Sequence, residues 1–128
     1  MAVSVTRGTK SASIHWTPAD DPQGYLIQAI DSGRLEKALT ALGLKQYDDL
    51  AALEESERAD ILRATSQLAT ELTRRVRHMT VAAREDGMTW GTLASTLTDD
   101  PHARSTARGT YQAGLRQMGR PTTDPADN

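Results

Sequence analysis

The stretch Met88–Gln112, MTWGTLASTLTDDPHARSTARGTYQ, decides how the C-terminal half of the chain is read. Trp90, Leu93, Ala94 and Leu97 recur at i, i+3, i+4 and i+7, which puts them on one face of a helix. Ala103, Ala107, Tyr111, Leu115 and Met118 step by four, four, four and three, which predicts a second helix running to about Gly119. Between the two lies TDDPHA. Aspartate followed by proline is a helix-start pair, so Asp100 is expected as the N-cap and Pro101 as the first helical residue.

Working backwards, Gly87 is a natural stop for whatever precedes Thr89. No proline or glycine interrupts Glu54–Asp86. Ile61, Leu68, Leu72, Val76, Met79 and Ala83 follow helical spacing along it, and the acidic EESE sits at its start, where the helix dipole favours negative charge. One long helix is expected there. It exceeds what a small domain needs, so either part of it packs on a second subunit or the run is kinked into two helices. Three shorter helices are expected before it, around Tyr25–Ile30, Leu35–Leu42 and Tyr47–Leu53, with Asp21 and Pro22 opening the first.

Residues 1–20 show little helical character. Val3, Val5, Ile14 and Trp16 alternate with polar residues in two patches, each of which could be a short strand but has no evident partner. They are read as a flexible arm over 1–20, on which Arg7 and Lys10 could reach a minor groove. Residues 21–119 are read as a single helical domain and 120–128 as a disordered tail. The fold class expected is all-α, a multi-helix domain with a long central helix and a C-terminal pair of helices joined by a turn.

Bulk composition narrows the function. The 128 residues include no cysteine and no phenylalanine. Disulfide scaffolds, zinc–thiolate sites and cysteine nucleophiles are excluded. No apolar run approaches the roughly 18 residues needed to span a membrane, and a cytoplasmic protein is expected. His15, His78 and His102 are scattered without metal-ligand spacing. Asp20–Asp21, Asp48–Asp49 and Asp99–Asp100 lie at expected turns or helix starts, where aspartate caps backbone N–H groups. With no phosphate-binding glycine loop and no nucleophile motif, neither an enzyme nor a cofactor is expected.

The net charge of −2 conceals an asymmetry. Residues 1–60 hold six basic and ten acidic side chains, whereas Arg63–Arg120 holds nine basic, all arginine, and five acidic. Clustered arginine is a footprint of polyanion binding.

VAAREDGMTWGTLASTL followed by RSTARGTYQ resembles the helix-turn-helix of small actinobacterial DNA-binding proteins and, more distantly, region four of sigma factors. Ala82, Ala83 and Arg84 close one helix before Gly87. Thr89 and Trp90 open the next, Leu93, Ala94 and Leu97 form its stripe, and Arg104, Ala107 and Tyr111 follow in the position of a recognition helix. The resemblance covers about 72–111. The turn is longer than the family's by about three residues and lacks its glycine. The resemblance implies double-stranded DNA as the ligand and a transcriptional regulator acting as a homodimer, with the last helix in the major groove.

The residue types fit that chemistry. Arginine forms paired hydrogen bonds with guanine or grips phosphate as a planar fork. Arg108 is the leading candidate for base reading, followed by Arg104, Ser105 and Thr106, with Gln112 a turn beyond. Arg116, Arg120, Arg84 and the Arg74, Arg75, Arg77 cluster are candidates for phosphate. Trp90 is read as a core anchor. The alternative is a protein-interaction module that binds RNA polymerase, a sigma factor or another regulator through the acidic N-terminal half, YDDLAALEESE included.

Overall fold

The computed structural model describes residues 2–122. It is mostly helical, with one small antiparallel sheet. Strands β1 (Ser4–Arg7) and β2 (Ala12–His15) precede six helices: α1 (Tyr25–Asp31), α2 (Arg34–Gly43), α3 (Tyr47–Ala51), α4 (Glu55–Glu85), α5 (Trp90–Thr98) and α6 (Arg104–Gln117). The chain divides into two compact units, with the boundary inside α4 between Leu68 and Ala69. The span 21–119, expected as one domain, is thus shared between them.

In the first unit, the expected arm is a hairpin. The two alternating patches pair with each other, Val5 opposite Ile14 and Arg7 opposite Ala12, and the Gly8 N–H donates to the Ser11 carbonyl at 2.7 Å across the turn. TRGTK, read from sequence as a break, is where the chain reverses. Downstream, α1 starts at Tyr25, not at Pro22. The Asp21 carboxylate nevertheless caps it, accepting from the N–H groups of Leu26 (2.9 Å) and Ile27 (3.0 Å). These bonds, Ile27 foremost, hold the carboxyl below its ordinary pKa. Among the described residues the buried apolar side chains of this unit are few: Ala29 of α1 and Ile61 and Ala64 of α4. Leu42 and Tyr47 are each 80% exposed.

The second unit holds the richer core. Val81 of α4, Trp90, Leu93 and Ala94 of α5, and Ala107, Tyr111 and Leu115 of α6 form one buried cluster, with Ala83, Met88, Leu97 and Ala103 packed at its edge. The stripe Trp90–Leu97 faces this cluster, as do Ala103, Ala107, Tyr111 and Leu115 of the second stripe, whereas Met118, expected on the same face, is 42% exposed. Chain reversal after α4 follows the expected glycine stop. Gly87 takes φ 101°, its N–H donates to the Arg84 carbonyl, and the Met88 N–H reaches the Ala83 carbonyl, each at 3.0 Å. This pair of bonds satisfies carbonyls that the end of a helix leaves open. Thr89 then caps α5, its hydroxyl oxygen accepting from the Thr92 N–H at 3.1 Å.

The turn between α5 and α6 corrects one expectation. Asp100 and Pro101 do not open α6. The Ala103 N–H donates to the Asp100 carbonyl at 3.1 Å, so Asp100–Ala103 is a β-turn with proline at its second position, where its fixed φ fits. The Asp100 carboxylate accepts from the His102 N–H within that turn at 2.9 Å. Helix α6 therefore begins at Arg104, with Ala103 preceding it and no side-chain cap. Asp99 closes α5 in the left-handed region, φ 64°, a conformation aspartate tolerates better than most residues.

Gly114 sets how closely α6 approaches α4 within this unit. A Cβ placed there would lie 2.6 Å from the Arg77 carbonyl oxygen and 2.7 Å from Val81 Cγ2. Alanine in mid-helix would otherwise gain about 1 kcal/mol over glycine. Contact with backbone oxygen outweighs that gain, because the two helices must separate to admit a methyl group. Beside it, Gln117 spans the same two helices, accepting from Arg77 Nη1 (2.9 Å) and donating to the Arg74 carbonyl (3.1 Å). At the end of α6, Arg120 pairs with Glu85 at 2.7 Å; both side chains are about half exposed, and such pairs contribute little. Of the tail expected at 120–128, residues 123–128 lie outside the described residues. We expect Gly114→Ala to lower the thermal unfolding midpoint, by about 1–3 kcal/mol in stability. An unchanged or raised midpoint would show that the helix contact is loose.

Candidate nucleic-acid interface

Helix α6, RSTARGTYQAGLRQ, contains three arginines and no acidic residue. Its buried positions, Ala107, Tyr111, Gly114 and Leu115, define the inward face. At roughly 100° per residue, the opposite face carries Ser105, Gly109, Gln112 and Arg116. Ser105, Gly109 and Arg116 are exposed and Gln112 is half-buried. Gly109 would meet no atom within 4 Å if it carried a Cβ, so the outward surface is low there and the helix backbone can be approached closely.

Arg104 and Arg108 fall on the flank of α6 nearer α5. Arg104 is exposed; its Nη2 lies 3.5 Å from where a Cβ of Gly91 would be, so the guanidinium passes over that glycine of α5. Thr106, on the other flank, is exposed. The carbonyl of Thr106 accepts from the Thr110 hydroxyl at 3.0 Å, a bond within the helix.

Arg108 stands apart from the other candidates. Its guanidinium carbon lies 5.4 Å from the centroid of the Trp90 ring, and the side chain is half-buried. Arg84, from the end of α4, lies over the same ring at 4.4 Å and donates to the Met88 carbonyl at 3.0 Å. Cation–π contacts of this kind contribute about 0.5–2 kcal/mol, more as they are desolvated. Trp90 itself is 4% exposed and meets Tyr111 edge-on, centroids 5.5 Å apart and planes at 85°. The indole therefore anchors the core, as its place in the α5 stripe predicts, and two candidate arginines help hold it there.

Several arginines expected to meet phosphate are engaged within the chain. Arg75 pairs with Glu71 at 2.9 Å, Arg77 bonds Gln117, and Arg120 bonds Glu85. The structure thus brings Ser105, Gln112 and Arg116 onto one outward face of α6, with Arg104 and Arg108 on one flank and Thr106 on the other, and sets Arg84 at the base of α5. Sequence reasoning missed the double arginine contact on Trp90. The signal for it is weak: Arg84 precedes Trp90 by six residues across a glycine stop, and Arg108 follows it by eighteen. No protein family, curated protein or solved structure matches the chain.

Proposed function

We propose that this protein binds double-stranded DNA sequence-specifically, as a homodimeric transcriptional regulator of the helix-turn-helix kind, with α6 entering the major groove. The observation that carries the reading is the outward face of α6. Ser105, Gln112 and Arg116 offer hydrogen-bonding groups to base edges and phosphates, and Gly109 between them leaves room for close approach. Arg104 stands at the first turn of the helix. No side chain caps that turn, so its backbone N–H groups remain free to meet a phosphate. Arg108 has two roles in this reading: it supports Trp90 and adds positive charge to the edge of the face.

Homodimer formation is assigned to α4. Leu72 and Met79, on the part of α4 that belongs to the second unit, are 61% and 62% exposed, and Val76 lies between them. Spacing of four and three puts these residues on one stripe, the kind of seam two helices share. A two-fold dimer would present two α6 helices to half-sites about one turn of DNA apart.

A second reading is favoured by one feature of the first unit. Leu42 and Tyr47 are each 80% exposed, and Asp48 and Asp49 next to Tyr47 in sequence are exposed as well, apolar and acidic groups suited to a protein partner in the transcription machinery. Selection of bound fragments from host genomic DNA at near-physiological salt separates the two readings. DNA binding predicts an enriched site and an affinity that falls steeply with salt. No enriched site, together with a protein that co-purifies, favours the partner.

On the selected site, Gln112→Ala and Arg116→Ala are each expected to weaken binding by about 1–3 kcal/mol without moving the thermal midpoint. Arg108→Ala is expected to lower both affinity and midpoint, because it also removes a contact to Trp90. Unchanged affinity in all three variants would remove α6 from the interface. For the dimer, Leu72→Glu and Met79→Glu are expected to convert a sedimenting dimer to monomer. A wild-type monomer at micromolar concentration would refute the α4 seam.

A further inference from the structure

A groove of about 390 Å³ opens between the hairpin and the α1–α2 pair, wholly within the first unit. Its walls are mostly apolar. Ile14 and Trp16 come from the second strand and the residue just beyond it; being two apart, they point to the same side of the hairpin. Ile30 of α1 and Leu35 and Leu39 of α2 face them. Glu36, in the first turn of α2, is the one ionisable residue in the lining. It makes no ion pair among the described residues. Lys37 beside it is absent from this lining; it lines two further grooves with Asp60 of α4, one of which Glu36 also borders.

Size and chemistry together define an occupant. A volume near 400 Å³ lies within the roughly 300–1,000 Å³ of small-molecule sites. A helix with its side chains is about 10–12 Å across and needs a longer trough. An indole is the best aromatic surface for a cation, and a carboxylate without a basic neighbour in the lining adds attraction of the same sign. Apolar walls then favour a ligand whose charge is carried on a hydrophobic body.

We propose that this groove binds a small organic cation, a quaternary or protonated amine bearing an apolar group. The ammonium lies between Trp16 and Glu36, and the apolar group packs on Ile14, Ile30, Leu35 and Leu39. This assignment does not depend on DNA binding, because every residue in it belongs to the first unit.

The test is a calorimetric titration of the full chain with benzyltrimethylammonium, with benzyl alcohol and benzenesulfonate as the neutral and anionic counterparts. Saturable binding of one cation per chain is expected, with weaker or undetectable binding of both counterparts. Glu36→Gln and Trp16→Leu should each weaken the cation about tenfold, while Glu36→Gln leaves the thermal midpoint unchanged. Equal binding of the neutral compound, or no saturable binding of the cation, would overturn the proposal. So would a dimer in sedimentation that Trp16→Leu dissolves, since a second copy would then occupy the groove.

Discussion

Trp90 is where the second unit is held together. It lies at the start of α5, buried, with Tyr111 of α6 against its edge and the guanidinium groups of Arg84 and Arg108 against its ring. Removing a buried tryptophan costs roughly 3–5 kcal/mol, a large share of the about 5–15 kcal/mol that keeps a domain folded. The contacts come from α4 and α6, so the indole of α5 that fills the core also fixes α6 relative to α4 and α5. Orientation of the outward face of α6 follows from that. With Ala107, Tyr111 and Leu115 drawn inward around Trp90, Ser105, Gln112 and Arg116 have only the opposite side left to them.

The close approach at Gly114 works with this anchor. Glycine weakens a helix interior, and its presence there is explained by the carbonyl of Arg77 against it. Gln117 and Arg77 then bond across the same crossing. Tight packing on the inner side of α6 and low relief at Gly109 on its outer side give the helix two different surfaces. One is committed to the fold, and the other is open to a ligand.

Much of this architecture was legible in the sequence. The apolar spacing of Trp90–Leu97 and Ala107–Leu115, the uninterrupted run before Gly87 and the helix opening at Thr89 and Trp90 are local signals, and each corresponds to an observed element. The hairpin was not legible as a pair, because Val5 and Ile14 meet across a turn whose residues carry no strong hairpin signature. Asp100–Pro101 was misread for a different reason: aspartate and proline open a helix and open a β-turn equally well, and the Ala103 N–H decides between them. The candidate site was legible as a set of residue types on α6. Which arginines remain accessible was not, since Arg84 and Arg108 lie against Trp90 only once three helices have packed. The pairing of Arg77 with Gln117, forty residues apart, likewise has no local trace.

Under the proposed function, the outward face of α6 is the surface that meets DNA. The most direct test is amide chemical-shift mapping of the full chain with a DNA fragment recovered by genomic selection. The account predicts the largest changes at Arg104, Ser105, Gly109, Gln112 and Arg116, with little change in β1, β2, α1 and α2. Changes centred on the hairpin and the first two helices, with α6 unmoved, would contradict it.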